Sequence, residues 1–201
     1  MELSAFLPYV LPQATGCPEE LAELNIRLAL IELCRKGRVW REYQTAVPTV
    51  ADQTAYAYSP GVEQQIVELL SLELDGVAID VVDQDTGKAR DRNGWISTYA
   101  YGGLSGFELR PAQAEDLGII TYSVVCPTLD ATEVPDDMAR YAEQIGRGTL
   151  SRLLKIKDRP FTDKAEAERL AIQWQRDIGE AQTDASKGNV RVKQRTSPHW
   201  F

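Results

Sequence analysis

The stretch Leu21–Val47, LAELNIRLALIELCRKGRVWREYQTAV, changes its periodicity part-way along. Its first half carries leucine and isoleucine three or four residues apart, the spacing of an amphipathic helix. From Arg38 onward the period becomes two, which is typical of a β-strand and here places aromatic residues on both faces. Pro48 ends this strand. A helix that leads directly into a strand predicts a fold of mixed α and β structure.

The opening helix has recognisable start and stop signals. Proline and acidic residues in Gly16–Glu20 suit its first turn and its positive N-terminal end. The helix should run to about Lys36 and stop at Gly37, a natural C′ residue. It carries two apolar stripes: the first is Leu21, Leu24, Leu28 and Ile31, and the second is Ile26, Leu30 and Leu33. Two stripes predict packing on two sides, either within a monomer or against a neighbouring subunit.

Short strands separated by turn residues follow the helix. The strongest turn signal is Asp75-Gly76, because both residue types tolerate the positive φ of a two-residue hairpin. The strands predicted here are 39–47, Ala55–Tyr58, Ile66–Leu74, Val77–Val82, Trp95–Tyr101, Gly106–Arg110 and Gly118–Val125. The expected fold class is α+β, a small helical bundle with an inserted antiparallel β lobe. The bundle comprises residues 1–37 and 128–187, and the lobe comprises residues 38–127.

Two further helices are predicted after the strands. The first begins at Val134–Asp137 and has Gly146 and Gly148 in its interior, each of which costs a helix about 1 kcal/mol relative to alanine. Either another backbone approaches these glycines closely, or the helix breaks near Gly146. The second helix is capped by Thr162 or Asp163, with Glu166 placed for a capping box on Asp163. Its seam of small residues has one large anchor, Trp174, which we expect to be buried with Ala171 and Ile178.

Composition excludes several classes of function. The chain of 201 residues has a net charge of −8, so a broad phosphate-binding surface is not expected. A single histidine, His199, removes most histidine-based catalysis and most zinc sites. Cys17, Cys34 and Cys126 are too far apart for a disulfide framework, and we expect them to be small buried hydrophobic residues in a reducing compartment. No apolar run approaches the roughly 18 residues of a membrane span.

Local motifs do not add a catalytic, cofactor or metal site. Asp83–Gly87, with the sequence DQDTG, resembles the opening of a calcium loop but lacks the later acidic ligands. Gly146–Thr149, with the sequence GRGT, lacks the lysine and the spacing of a phosphate loop. The 30 acidic residues supply many carboxylate pairs, but no spacing singles one out. We therefore predict no catalytic residue, no cofactor and no metal.

The last fifteen residues differ from the rest in charge. Lys187–Phe201 contains four basic residues and no acidic one, whereas 18 basic residues face 30 acidic ones in the other 186 residues, a net charge of −12. The segment ends in Trp200 and Phe201. Terminal aromatic residues often anchor in the pocket of a partner, although a solvated end is the simpler interpretation. Residues 188–201 are therefore predicted to be an extended arm that docks on a partner.

The order and spacing of these segments resemble the head-to-tail adaptor proteins of tailed bacteriophages, also called connector or head-completion proteins. The resemblance covers nearly the whole chain, and no single segment is diagnostic. It is carried by Leu21–Trp40, Glu68–Gly76, Phe107–Pro111, the strand Ile119–Val125 with Pro127, Val134–Asp137, Ile145–Leu154, Arg159–Phe161 and the alanine-rich helix with Trp174.

The resemblance implies a structural protein of the virion without enzymatic activity. Such a protein is made in the host cytoplasm and lies in the neck, where a ring of twelve copies joins the portal protein to a downstream tail or nozzle protein. DNA passes through the ring without specific binding, and no membrane is involved. An acidic body suits such a conduit, because a basic wall would bind phosphate.

The resemblance also implies that the C-terminal arm helps to hold the portal. The arm residues expected to do so are Arg191, Lys193, Arg195, Trp200 and Phe201. A closed ring needs two different adhesive faces on each subunit. The residues expected to pack within the bundle or between subunits are Leu21, Leu24, Leu28, Ile31, Trp174 and Ile178.

Two other classes remain open at this stage. One is a different neck or tail component, such as a stopper or a tail terminator. The other is a carbohydrate-active or lyase-type enzyme that uses carboxylates together with Tyr99 or Tyr101.

Overall fold

The computed structural model of the chain describes residues 1–82, 98–103 and 105–187. Helices come first and last along these residues, with strands between them, so the α+β class is confirmed. The α-helices are α1 Glu19–Gly37, α2 Ala142–Leu153 and α3 Lys164–Ser186. Within the described ranges, Leu3–Tyr9 and Asp136–Tyr141 are 3-10 helices. The strands are β1 Arg41–Tyr43, β2 Val47–Pro48, β3 Ala55–Ala57, β4 Gln64–Leu74, β5 Val77–Val81, β6 Tyr99–Gly102, β7 Gly106–Arg110 and β8 Gly118–Pro127.

Helix α1 begins after Pro18 as predicted, but it ends differently. The left-handed residue is Arg38, with φ of 53°, and its N–H donates to the Cys34 carbonyl oxygen. Gly37 is the last helical residue and not the C′ residue. An added Cβ at Gly37 would lie 3.2 Å from Val39 Cγ1 and 3.6 Å from Ala181 Cβ. An added Cβ would therefore be tight only against Val39, while its distance to α3 is an ordinary van der Waals contact. The left-handed turn is made by the next residue, Arg38.

The strands form one sheet in the order β1-β8-β4-β5-β6-β7-β3, with β2 also paired to β8. The predicted hairpin is confirmed, since β4 and β5 pair with Leu74 opposite Val77 and both turn residues have positive φ. The expectation of a wholly antiparallel lobe is wrong at one place. Strands β5 and β6 pair in parallel. Residues 82–98 separate them, which is long enough for the crossover that a parallel pair requires.

The strand predicted over residues 39–47 is divided into β1 and β2. Tyr43 lies opposite Tyr122, and Val47 lies opposite Ile119. From Tyr43 to Val47 the chain advances four residues, whereas the paired segment of β8, from Tyr122 to Ile119, advances only three. This difference is that of a β-bulge with one extra residue. The alternation in the sequence identified both strands but could not reveal the extra residue between them.

Helix α2 runs without a break through both of its glycines. An added Cβ at Gly146 would lie 2.9 Å from Tyr9 Cβ and 3.1 Å from the Tyr9 carbonyl oxygen. An added Cβ at Gly148 would lie 2.8 Å from the Trp174 indole. The predicted close approach of another backbone is confirmed at Gly146, whereas the close neighbour of Gly148 is a side chain, and the alternative of a broken helix is wrong.

Only one of the two hydrogen bonds of the predicted capping box is present at the start of α3. Asp163 is the N-cap residue, and its carboxylate accepts a hydrogen bond of 3.0 Å from the Glu166 N–H. The reciprocal half of the capping box is absent, because the Asp163 N–H donates to the Leu154 carbonyl oxygen. The Glu166 carboxylate instead accepts hydrogen bonds from Arg169.

The described residues contain two hydrophobic clusters. The larger cluster joins the three α-helices, the residues before α1 and the end of β8, where Val125 and Cys126 are buried. The smaller cluster lies within the sheet and comprises Tyr56, Leu69, Leu72, Leu74, Ala100, Phe107, Leu109 and Ile119. Buried polar side chains of β8, Thr121 and Ser123, come between the two clusters along that strand.

Candidate interaction surfaces

The two stripes of α1 have different environments. Ile26, Leu30 and Leu33 are fully buried in the larger cluster. In the other stripe only Ile31 is buried, Leu21 and Leu28 are half-buried, and Leu24 is 42% exposed. The core of the protein is therefore filled mainly by one stripe, and the leucines of the other are incompletely covered. We call Leu21, Leu24 and Leu28 the α1 strip.

Trp174 on α3 is buried, with 2% of its surface exposed. Its ring packs against α2 at Gly148, and its indole N–H donates to Glu32 on α1 across 2.9 Å. Ile178, one turn further along, is also buried in the larger cluster, while Ala171 is half-buried. The prediction that Trp174 lies in a buried helix–helix contact is confirmed, and the tryptophan contacts both other α-helices.

Glu32 links the three α-helices through its carboxylate. It accepts hydrogen bonds from Arg152 on α2 at 2.5 Å, from Lys36 on α1 at 2.6 Å and from Trp174 on α3. Partial burial alone would raise the pKa of Glu32, but these hydrogen bonds and the charge of Lys36 lower it to about 2. Sequence reasoning missed this group, because Arg152 and Trp174 are more than a hundred residues from Glu32.

A second ion pair joins α2 to α3. Arg147 donates to the Asp177 carboxylate through Nε at 2.8 Å and through Nη2 at 3.1 Å. Asp177 is buried, so the pair has the two-point geometry that gives arginine–carboxylate contacts their directionality. The arginine of the GRGT motif thus has a structural role in positioning α2 on α3.

The three cysteines are free and buried, as expected. Burial raises the pKa of the Cys17 thiol, and it raises the pKa of Cys34 and of Cys126 as well. A thiolate is the nucleophilic and metal-binding form of cysteine. These environments disfavour that form and are typical of cysteines that act as small core residues.

The edge of the sheet carries a surface that the sequence did not reveal. Tyr43 on β1 is 66% exposed and stacks on Tyr122 with ring centroids 4.5 Å apart. Beside this pair is a groove between β1, the 3-10 helix 136–141 and the end of α3, lined in part by Trp40, Pro135, Met138 and Ala185. We call it the β1 groove. Finding it requires the pairing register of β1 and β8, which the sequence alone does not supply.

Several sequence predictions fall outside the described residues. They concern the arm residues Arg191, Lys193, Arg195, Trp200 and Phe201, the DQDTG segment 83–87, and the first part of the strand predicted over residues 95–101. Tyr99 and Tyr101 both lie in β6.

The described residues contain no group of three or more histidine, cysteine or acidic residues arranged to hold a metal ion. No helix within those ranges is long and apolar enough to span a membrane. Comparison of the chain with protein-family models and with curated proteins finds no match.

Proposed function

We propose that the protein is a structural head-to-tail adaptor of a tailed bacteriophage. It forms a ring of twelve copies beneath the portal protein, lies in the neck of the virion and is joined below to a tail or nozzle protein. It has no enzymatic role, and DNA passes through its lumen without specific binding. The proposal begins from the resemblance in the order and spacing of the segments, and the surfaces of the subunit support it.

The observation that carries the proposal is the α1 strip. Ile26, Leu30 and Leu33 already fill the core, yet α1 presents a second set of leucines that the subunit covers incompletely. A single exposed leucine is ordinary, whereas a row at helical spacing provides a continuous face for a neighbour. The strip is therefore suited to a subunit–subunit contact.

A ring needs a second, different face, because each subunit contacts its two neighbours through unlike surfaces. Helix α3 offers one at Ile172, which is 61% exposed, while Trp174 and Ile178 on the same helix are buried. Contact between the α1 strip of one subunit and the Ile172 side of the next would be heterologous. Repetition of that contact around an axis closes a ring.

The two hydrophobic clusters support the finer division of the chain. We infer that residues 1–37 and 128–187 act as a helical bundle, which carries residues 38–127 as a lobe with its own apolar centre. A lobe of this kind can contact the tail side of the neck while the helices hold the ring together. The basic arm 188–201, on a subunit that is otherwise acidic, is the portal-binding segment.

The test of the ring contact is Leu24→Glu, which places a charge in the α1 strip. Electron microscopy of the protein mixed with the portal protein of the same phage should show rings with the natural chain and few or none with Leu24→Glu. The matched control is Leu129→Glu, because Leu129 is 61% exposed and lies outside the α-helices. Rings of normal appearance from Leu24→Glu, with thermal unfolding unchanged, would contradict the role of the strip.

The arm is tested by a chain that ends at Lys187. Its folding should be unchanged, and its binding to the portal should be weaker. The ionic part of the binding by the full chain should also weaken as salt is raised, since Arg191, Lys193 and Arg195 lose their attraction to acidic groups. Equal binding by the full and the shortened chain would show that the helices alone hold the portal.

A further inference from the structure

Helices α1 and α3 lie side by side and run in the same direction. At one end, an added Cβ at Gly16 would lie 4.0 Å from Pro160, and at the other end an added Cβ at Gly37 would lie 3.6 Å from Ala181. The two residue numbers differ by 144 in both pairs. A residue of α1 is therefore level with the residue of α3 that is numbered about 144 higher.

The exposed side of α3 has an apolar residue level with the α1 strip. Ile172 is 61% exposed, and its number places it level with Leu28. Ala165 and Gly179 lie seven residues to either side of Ile172, and both are exposed. An added Cβ at Gly179 would meet nothing within 4 Å. One large apolar side chain thus stands between two small residues, so a second helix can approach this side of α3 closely.

The two helix faces carry charges of opposite sign at the same level. Residues 19–24 have a net charge of −3 from Glu19, Glu20 and Glu23, which we call the acidic start of α1. Residues 155–164, which lead from α2 into α3, have a net charge of +2. They contain four exposed cations, which we call the basic connection: Lys155, Lys157, Arg159 and Lys164. None of these seven charged groups forms an ion pair within the described residues.

The last part of α3 is acidic, which makes the direction of helix packing matter. Residues 179–186 have a net charge of −2, and their carboxylates, Glu180 and Asp184, are both exposed. Antiparallel packing of α1 from one copy on α3 of another would set the acidic start of α1 against these carboxylates. Parallel packing sets it against the basic connection. Exposed ion pairs contribute at most about 1 kcal/mol each, so the charges select the direction and the apolar residues supply most of the attraction.

The twelvefold ring requires the same direction, and this step alone rests on the proposed function. Neighbouring subunits of such a ring are related by a rotation of about 30°. Helix α3 of one subunit therefore keeps nearly the direction of α3 in the next. Since α1 and α3 run in the same direction within a subunit, α1 also runs in nearly the same direction as α3 of the neighbour.

We propose that the α1 strip of one copy packs in parallel on the exposed side of α3 of a second copy, with Leu28 beside Ile172. The acidic start of α1 then faces the basic connection of the second copy. The contact joins unlike surfaces, so each copy still has one surface free to bind a further copy.

Cross-linking of the isolated protein in concentrated solution tests the direction and register of this contact. Two full-length chains are mixed, one with Leu21→Cys and the other with Ala165→Cys, and the thiols are oxidised with diamide to trap the contact. Parallel packing makes the two positions level. The yield of the mixed disulfide dimer should be several-fold higher than with Gly179→Cys in place of Ala165→Cys, because a disulfide needs Cα atoms within about 7 Å and Gly179 lies about 21 Å further along α3. Equal yields, or a higher yield with Gly179→Cys, would overturn the proposal.

Charge reversal in the same mixture tests the two charged segments. Lys157→Glu together with Lys164→Glu, on the chain with the α3 cysteine, should lower the yield of the mixed dimer. Adding Glu20→Lys with Glu23→Lys to the chain with the α1 cysteine should restore it, because each segment then has the sign of the other. A yield that the first pair leaves unchanged, or that the second pair does not restore, would overturn the pairing of these segments.

Neither readout involves the portal, so the proposed packing and the proposed function can fail separately. The cross-link expected for parallel packing, without any binding to the portal, would support the packing and contradict the adaptor function. Rings on the portal without that cross-link would contradict the packing alone.

Discussion

At the scale of single residues, Glu32 connects the three α-helices. Its carboxylate accepts hydrogen bonds from Lys36, Arg152 and Trp174, one on each α-helix. Glu32→Gln should lower the free energy of unfolding by about 1–2 kcal/mol, because bonds between ionised partners are replaced by weaker ones. Urea denaturation at pH 7 measures this change. Glu168→Gln on the exposed side of α3 is the control and should leave the stability as it was.

The same residue predicts a pH dependence. The pKa of Glu32 is lowered from its ordinary value of 4.5 to about 2. A carboxyl whose pKa falls on folding stabilises the protein above its unfolded pKa, and that stabilisation is lost as the pH falls through the folded pKa. The stability difference between the natural chain and Glu32→Gln should therefore be full above about pH 5 and shrink toward pH 2. A difference that stays constant over this range would contradict the lowered pKa.

Two helical glycines give a matched pair of opposite predictions. At Gly146 an added Cβ would meet the Tyr9 backbone, whereas at Gly179 on α3 it would meet nothing within 4 Å. Gly146→Ala should destabilise the protein by about 1–3 kcal/mol, because packed backbone must move. Gly179→Ala should stabilise it by about 0.5–1 kcal/mol through helix propensity. If Gly146→Ala leaves the thermal midpoint unchanged or raises it, the close approach of Tyr9 to α2 is incorrect.

At the scale of secondary-structure elements, the sequence predicted correctly those features that depend only on residues close together in the chain. The start of α1, the Asp75-Gly76 hairpin and the Asp163 cap each depend on residues within a few positions of one another, and all three are confirmed. The left-handed residue was expected at Gly37, because glycine is the usual residue type there, but Arg38 adopts that conformation with φ of 53°.

Other features depend on tertiary pairing, which the sequence does not encode locally. The bulge between β1 and β2 appears only when both are set against β8, and the parallel β5–β6 pair depends on the path between them. The candidate surfaces also depend on tertiary structure. The α1 strip is visible as a helical stripe, but which stripe stays uncovered is decided by α2 and α3, and the β1 groove is made of three separate segments.

The packing of the α-helices depends most on Trp174, which contacts α2 at Gly148 and α1 at Glu32. Trp174→Ala should reduce the free energy of unfolding by about 3–5 kcal/mol, since it leaves a cavity among three helices and removes the indole donor. Gln175→Ala, at the neighbouring exposed position, is the control. An unchanged thermal midpoint for Trp174→Ala would mean that the indole does not hold the helices together.

At the scale of the whole molecule, the protein combines an acidic body, an incompletely covered helix face and a basic segment. Residues 1–186 carry a net charge of −12 and the last fifteen carry +4. Self-repulsion between acidic bodies opposes assembly in solution and is screened as salt increases, whereas burial of the α1 strip favours assembly. We therefore expect ring formation to depend on a partner that fixes the subunits side by side, which is the role proposed for the portal.

The proposed adaptor function is tested most directly by cryo-electron microscopy of the protein mixed with the portal protein encoded in the same genome. We predict a ring of twelve subunits beneath the portal, with the α1 strip at each subunit–subunit contact and the basic arm 188–201 against the portal. The absence of any complex with the portal, together with specific binding to the isolated tail tube, would contradict the adaptor role and identify a different component of the neck or tail.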